Sequence, residues 1–260
     1  MTSANAGTTP PGTSDERQAA AWVQRMFAGI APRYDFLNHL FSFNIDRRWR
    51  KVLMQRLRPV LQRRDATVLD LCCGTGDVFI DLKTAGPARV TGVDFCHPML
   101  ISAKKKIAQK GFLGLLIEGD ALQLPLSDES LDAISISFGF RNLVNYCEGL
   151  RELYRVLKND AVLAILEFSQ PPGTLMRTAY GFYSKVLMPM VGAAVSGTPE
   201  AYKYLPESIR KFPRPDELQE MMEAAGFRNT RFELLTGGIA ALHMGWKSTC
   251  TGRLVPLVRA

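Results

Sequence analysis

The chain has 260 residues, which is enough for one large domain with its own core or for two small ones. Hydrophobic residues make up 47% and charged residues 22%, as in an ordinary globular protein, and no stretch approaches the roughly 20 apolar residues of a membrane-spanning helix. The formal net charge of +7 fits nucleic acid, an anionic membrane surface or a solvated basic face, and charge alone does not choose among them.

The first part of the chain predicts a leader and then a helical cap. Residues 1–14 are rich in Thr, Ser, Pro and Gly and lack the basic start and apolar centre of a secretory signal, so we expect a disordered leader. Over residues 15–61, apolar residues recur at three- and four-residue spacing, which predicts helices. Between the periodic runs, four polar or aromatic residues could close over a ligand: Tyr34, Asp35, Asn38 and Ser42.

Residues 67–168 predict the alternation of strands and helices that builds a cofactor-binding core. Short apolar runs rich in β-branched residues are typical of buried parallel strands. The predicted strands are Thr67–Leu71, Val90–Val93, Leu115–Ile117, Leu131–Ser137 and Val162–Phe168. The predicted helices are Asp77–Lys83, Pro98–Gln109 and Tyr146–Leu157.

Residues 174–247 predict helices on the substrate side and a terminal hairpin. The predicted elements are helices Thr174–Met190 and Pro215–Ala225, the helix-ending Gly226, and strands Thr230–Leu235 and Ile239–Lys247 around the turn TGG. We therefore expect an α/β fold with a doubly wound, mainly parallel seven-stranded sheet and one antiparallel strand. A single domain spans residues 15–248, and a tail follows over residues 249–260.

The segment VLDLCCGTGD carries the strongest local signal for a ligand. A strand ends in Gly74-Thr75-Gly76 and a helix follows directly, at the edge of the sheet where doubly wound folds bind ligands. Glycines there permit a tight turn and a close approach of the ligand to the backbone. Asp94 ends the next strand, and a carboxylate at that position can accept both hydroxyls of a ribose. The loop and Asp94 together indicate a cofactor that contains adenosine.

Three observations favour S-adenosylmethionine over a nicotinamide dinucleotide. The loop lacks the third glycine of the dinucleotide fingerprint. Asp70 and Asp77 would repel a pyrophosphate but suit the ammonium and sulfonium charges of S-adenosylmethionine. The predicted antiparallel hairpin is also unlike an ordinary dinucleotide domain. A nicotinamide-dependent oxidoreductase is therefore the more distant alternative.

Two further residues at the predicted strand ends have a functional and a structural interpretation. Asp120 either accepts from an adenine amino group or caps a turn, and Ser137 either faces the crevice or has no such role.

The five cysteines form no CxxC pair, so we expect small buried residues in a reducing cytosol, without a metal site or disulfide framework. They are Cys72, Cys73, Cys96, Cys147 and Cys250.

Several separated blocks resemble the C-methyltransferases of ubiquinone and menaquinone biosynthesis, over about Phe27 to Lys247. The blocks are RYDFLNHLFSFNIDRRW, DLCCGTGD, ISFGFRN, RVLK, LEFSQP, YKYLPESIRKFP and LTGGIAALHMGWK. The resemblance implies a class I methyltransferase that uses S-adenosylmethionine. It implies cofactor contacts by Thr75, Asp94, Asp120, Ala121 and Ser137. The chain departs from the family pattern at Leu37, at Asp46, where a histidine is common, and at Asn159-Asp160-Ala161.

The resemblance also implies a lipid quinol substrate whose ring is methylated on carbon. The block IAPRYDFLNH favours demethylmenaquinol over the ubiquinone precursor 2-methoxy-6-polyprenyl-benzoquinol. The apolar stretch Val186–Val195 could admit the isoprenoid tail. We expect a cytoplasmic protein with peripheral contact to the anionic inner face of the membrane, a possible homodimer, and no nucleic-acid partner, since no basic–aromatic stripe is present. Alternatives are a different methyl acceptor, such as a small phenol, another lipid or an RNA base, and a non-catalytic scaffold that binds the cofactor.

Three residues are candidates for the chemistry on the ring. Arg141, just past the fourth predicted strand, could stabilise a phenolate or order a water that takes the proton, with Asn142 positioning it. The alternative for Arg141 is an ion-paired arginine in a loop. His243 is the other candidate base, although a lone histidine on an apolar strand is more often structural.

Overall fold

The computed structural model describes residues 7–35, 42, 44–173 and 199–248. In this part of the chain one seven-stranded sheet has the order β3-β2-β1-β4-β5-β7-β6. The strands are β1 Thr67–Leu71, β2 Arg89–Asp94, β3 Leu115–Glu118, β4 Leu131–Ser137, β5 Leu157–Phe168, β6 Arg228–Leu235 and β7 Ala240–Trp246. Strands β1 to β5 pair in parallel, and β7 is antiparallel to both neighbours. The predicted fold class is confirmed.

Helices flank both faces of the sheet. They are α1 Glu16–Ile30, α2 Asp46–Leu61, α3 Asp77–Ala85, α4 His97–Gln109, α5 Tyr146–Val156, α6 Pro199–Lys211 and α7 Pro215–Ala224, with short 3-10 helices at Ala31–Arg33, Phe140–Asn142 and Thr236–Gly238. One apolar core packs α5 and α7 on the sheet, and a second packs α2, α3 and α4 on the other face. Because both faces are covered, the central strands are buried almost throughout.

Strand β5 begins five residues earlier than the predicted Val162. Asn159 and Asp160 have the composition of a turn, and Asp160 does adopt a positive φ of 62°. The strand nevertheless continues through them, because Leu157 pairs with Leu131 of β4 across an irregularity in the register. The preceding helix α5 accordingly ends at Val156.

The expected disordered leader is packed where the structure describes it. The backbone N–H of Thr8 donates to the carbonyl of Leu143 at 2.7 Å, and the Thr8 hydroxyl lies 2.7 Å from the hydroxyl of Tyr204. Thr8 is buried, since only 7% of its surface is exposed. Residues 7–14 therefore differ from the expectation of disorder, because their polar groups find partners on the domain.

Several expectations fall outside the described residues: the helix Thr174–Met190, the apolar stretch Val186–Val195, Asn38 of the cap, Cys250 and the tail 249–260. In the described ranges, no helix combines the length and the apolar character that would let it cross a membrane.

Candidate functional site

A cavity lies at the carboxyl ends of β1, β2 and β4, where a doubly wound sheet binds its ligands. It encloses about 780 Å³ of space, including its opening to solvent. Strand ends and the following loops supply Leu71, Gly74, Asp94, Asp120, Ala121, Ser137 and Asn142 to its wall. The N-terminal cap contributes Phe27 of helix α1 and Tyr34, which follows that helix. The predicted crevice is thus a real cavity, closed on one side by the N-terminal region.

The two strand ends that border the cavity carry unusual backbone conformations. Cys72 after β1 and Phe138 after β4 both have positive φ values, 55° and 59°, although neither is glycine. The loops meet so closely that a Cβ on Gly139 would lie 2.3 Å from the Cβ of Cys72. Backbone conformations of this kind cluster at ligand sites because surrounding contacts hold them in place.

Asp94 is fixed by backbone donors from two directions. Its Oδ2 accepts from the N–H of Gly74 at 2.8 Å, and its Oδ1 accepts from the N–H of Cys96 at 2.9 Å. Burial raises the pKa of Asp94, and these two N–H donors oppose that rise by stabilising the carboxylate. Each oxygen keeps a further lone pair, so the carboxylate can still accept from two hydroxyls of a ligand.

Three other predicted cofactor residues also line the cavity. Asp120 caps a turn, since its Oδ1 accepts from the N–H of Leu122 at 2.9 Å, and the residue also lines the cavity. Ala121 follows it in the same wall. The Ser137 hydroxyl is buried at the cavity and has no hydrogen-bond partner among the described residues. A buried hydroxyl of this kind fits a ligand that supplies the missing partner.

Asp70, Thr75 and Gly76, which are also predicted to bind the cofactor, are not among the residues that line this cavity. Asp70 is fully buried, and burial, with the charge of Asp94, raises its pKa well above the usual value. Thr75 donates its hydroxyl to Asp35 and accepts from Lys106 Nζ at 3.2 Å. Gly76 starts α3 with a φ of 86°. The contacts of Thr75 and the conformation of Gly76 determine the shape of the glycine loop.

An ion-pair network, which no sequence pattern predicts, connects the cap to the glycine loop. Lys106 of α4 pairs with Asp35 of the cap and with Asp77 of α3, the latter at 2.7 Å. Arg50 of α2 bridges Asp46 at 2.6 Å and Asp77 at 3.5 Å. Asp46, which replaces the histidine common in the family, is thus a structural partner of an arginine.

Arg141 is buried beside the cavity and forms an ion pair, as expected for the alternative of an ion-paired arginine in a loop. Its Nη1 donates to Glu167 Oε1 at 2.9 Å and to the carbonyl of Phe138. Burial acts against the charge of Arg141, but the nearby carboxylate of Glu167 raises its pKa, so the guanidinium stays charged. Its Nε is buried without a hydrogen-bond partner among the described residues. The neighbouring Asn142 lines the cavity itself.

His243 is not among the residues that line this cavity, and its contacts are those of a structural residue. It occupies the middle of β7, paired with Ile165 of β5. Its Nε2 donates to the carbonyl of Pro215 at 3.0 Å. Burial lowers the pKa of His243 to about 4, so the ring is neutral at physiological pH. Its role is structural, packing α7 on the sheet.

The described cysteines and acids show no metal-binding arrangement. Within the described ranges, no group of three or more His, Cys, Asp or Glu residues is placed to hold a metal ion. Four cysteines are free thiols: Cys72, Cys73, Cys96 and Cys147.

Comparison with known proteins gives close relatives over most of the chain. The sequence model of the ubiE/COQ5 methyltransferase family matches residues 13–247. A demethylmenaquinone methyltransferase of Thermus thermophilus is 46% identical, over 85% of this chain and 99% of its own. One of Deinococcus radiodurans is 43% identical, over 91% of this chain and 97% of its own. The ubiquinone/menaquinone biosynthesis C-methyltransferase UbiE of Roseobacter denitrificans is 40% identical, over 90% of this chain and 94% of its own.

Similar solved structures support the fold alone. A SAM dependent methyltransferase from Aquifex aeolicus superposes with a TM-score of 0.54 at 22% identity, over 74% of this chain and 87% of its own. The [4+2]-cyclase SpnF superposes with a TM-score of 0.58 at 17% identity, over 75% of this chain and 80% of its own. A fold that also serves a cyclase does not by itself fix the reaction.

The buried neutral His243 predicts a specific dependence of stability on pH. Between pH 6.5 and 4 the unfolded chain binds a proton at this residue that the folded chain does not, so stability falls as the pH falls. Between pH 7 and pH 5 we expect the wild type to lose about 2 kcal/mol more of its free energy of unfolding than His243→Gln. Urea unfolding at both pH values measures the difference. His97→Gln, at an exposed histidine, is the matched control, and equal losses in wild type and His243→Gln would refute the assignment.

Proposed function

We propose that this chain, which belongs to the ubiE/COQ5 methyltransferase family, methylates a ring carbon of demethylmenaquinol. S-adenosylmethionine would be the methyl donor. Family membership makes the chain a methyltransferase of menaquinone or ubiquinone biosynthesis. Two of the relatives compared, at 46% and 43% identity, are named demethylmenaquinone methyltransferases, which supports the menaquinone branch. The ubiquinone precursor is the second candidate substrate, supported by the relative named for both pathways.

The Asp94 carboxylate at the cavity is the observation that carries this proposal. With both oxygens anchored by backbone N–H groups, Asp94 would accept the two ribose hydroxyls, while Gly74 allows close approach of the ligand. Asp120 would accept from the adenine amino group, and Ala121 and Ser137 would complete the contacts. The residues fit the cofactor, because a carboxylate, an orphan hydroxyl and a glycine without a Cβ face one cavity.

The aromatic and apolar residues that line the cavity would hold the ring. When bound, S-adenosylmethionine supplies a methyl group already activated by the sulfonium charge. Phe27, Tyr34, Phe138 and Leu143 give the cavity an apolar side that excludes water and can pack against a quinol ring. Holding the ring carbon in line with the methyl group contributes up to roughly 7–11 kcal/mol in well-oriented cases.

Arg141 and Asn142 would handle the charge that develops on the ring oxygen. A quinol hydroxyl titrates near the tyrosine value of about 10, so at neutral pH the carbon becomes nucleophilic only with help. The Arg141 guanidinium favours the phenolate electrostatically, and its Nε–H lacks a partner among the described residues. Asn142, in the cavity wall, can donate to the same oxygen.

Methyl transfer from labelled S-adenosylmethionine tests the function directly. We expect the wild type to methylate demethylmenaquinol with a higher kcat/KM than 2-methoxy-6-polyprenyl-benzoquinol. Asp94→Asn should weaken S-adenosylhomocysteine binding by about 10- to 100-fold, since it removes charge-assisted hydrogen bonds, as calorimetry would measure. Asp65→Asn, at an exposed carboxylate outside the cavity, is the matched control and should bind normally. A folded wild type that binds S-adenosylhomocysteine but methylates neither quinol would instead support a non-catalytic scaffold.

A paired substitution tests the role of Arg141 without leaving a buried carboxylate unpaired. Arg141→Met alone would strand Glu167, which is 1% exposed, so Arg141→Met with Glu167→Leu is the cleaner variant. We expect it to bind S-adenosylhomocysteine normally and to lose about 100-fold in kcat at pH 7. The deficit should shrink toward pH 9, because the quinol then ionises without help. Rates equal to wild type at pH 7 would reject the role.

We also propose that this enzyme is cytoplasmic and that one basic helix face contacts the anionic surface of a membrane. Helix α4 exposes Lys104 and Lys105 and contains no acidic residue, and the exposed Lys110 directly follows its last residue. Since each lysine contributes roughly 1 kcal/mol near an anionic surface, Lys104→Gln with Lys105→Gln should weaken binding to anionic vesicles by about thirtyfold at low salt. Arg47→Gln with Lys51→Gln makes the same charge change on exposed α2 and is the control. Failure of the wild type to sediment with such vesicles would end this proposal.

A further inference from the structure

The N-terminal strap, defined as residues 7–13, holds the loop that carries Asn142. Beyond the Thr8–Leu143 backbone bond, Lys211 of α6 donates to the carbonyl of Thr9 at 3.2 Å. Gly7 lies so close to this loop that a Cβ there would lie 2.2 Å from the carbonyl oxygen of Leu143. Leu143 lines the cavity beside Asn142. The strap therefore connects α6 to the cavity wall.

Two hydrogen bonds run in one direction from the strap to the Asn142 side chain. The Tyr204 hydroxyl donates to Asn142 Oδ1 at 3.0 Å. A tyrosine hydroxyl has one proton, so its 2.7 Å contact with Thr8 must be donated by the Thr8 hydroxyl. Because the oxygen of the amide is held by Tyr204, its nitrogen, with two N–H donors, occupies the other side of the group.

Tyr204 is well placed to act as a permanent donor. Burial raises the pKa of Tyr204, so its hydroxyl keeps its proton over the working pH range. The ring is held separately, since its centroid lies 5.1 Å from that of Trp22 on α1. Removing the hydroxyl alone should therefore leave the ring packed.

We propose that Thr8 and Tyr204 are positioning residues that orient the Asn142 amide with its N–H donors toward the cavity. There the amide donates to the quinol oxygen as that oxygen becomes negatively charged during methyl transfer. This inference rests on the proposed function, because it needs a ring oxygen that gains charge. A donor fixed in place before the reaction stabilises the transition state without reorganisation, whereas an amide free to rotate presents its carbonyl part of the time.

Hydroxyl-deleting variants test the proposal in the full chain. Tyr204→Phe should lower kcat for demethylmenaquinol by roughly 10- to 100-fold while the S-adenosylhomocysteine Kd stays within about twofold of wild type. Thr8→Val should lower kcat by a smaller factor. Thr8→Ser, which keeps the hydroxyl, should retain the kcat of the wild type. The double variant Tyr204→Phe with Thr8→Val should be no slower than Tyr204→Phe alone, because both act through one chain of bonds.

Side-chain amide NMR of Asn142 in the S-adenosylhomocysteine complex gives a readout that does not need turnover. We expect one sharp NH₂ pair in the wild type and an exchange-broadened pair in Tyr204→Phe. Equal kcat in Tyr204→Phe and wild type, or equal impairment in Thr8→Ser and Thr8→Val, would overturn the proposal. If Tyr204→Phe fails to fold, the two Thr8 variants decide. A wild type with the sharp NH₂ pair but no methyl transfer would refute the proposed function and leave the positioning of the amide established.

Discussion

The site depends on a buried carboxylate that accepts hydrogen bonds from backbone N–H groups. Burial raises the pKa of Asp94, and the N–H groups of Gly74 and Cys96 oppose that rise because they stabilise the charged form. The pKa of the adjacent, fully buried Asp70 is raised well above its usual value by burial and by the charge of Asp94. A cavity with one fixed negative charge suits a cofactor that brings hydroxyl donors and a sulfonium cation.

The remaining walls of the site come from segments that are distant in sequence. The glycine loop and α3 are bound to the cap through Lys106 and Arg50, and the loop after β4 is bound to the N-terminal strap through Tyr204 and Thr8. These polar contacts hold the cap and strap against a core whose own stability comes from apolar packing on both sheet faces. These contacts fix the positions of the cap and the strap, and through them the positions of the groups around the ligands.

The sequence determined the sheet better than it determined the directions of side chains. Strand β4 was predicted to the residue, and Asp94 and Ser137 reach the cavity because strand ends of a parallel sheet meet at one edge. Asp70 does not line the cavity, and the sequence could not show this because the face of a strand buried on both sides cannot be read from an apolar run. The same holds for His243, since its strand position says nothing of its distance from the crevice. Thr8 was missed because its surroundings have the composition of a disordered leader.

Two of the unsatisfied buried groups lie at the proposed site. A buried polar atom without a partner costs about 1–3 kcal/mol, so a fold retains few of them without a reason. The described residues hold six such atoms: Asp70 Oδ2, Ser135 Oγ, Ser137 Oγ, Arg141 Nε, Ser169 Oγ and His243 Nδ1. Ser137 lines the cavity and Arg141 precedes Asn142 of the cavity wall, in the same region as the positive-φ residues Cys72 and Phe138. The proposed ligands would supply partners for these two atoms, which gives the fold a reason to retain them there.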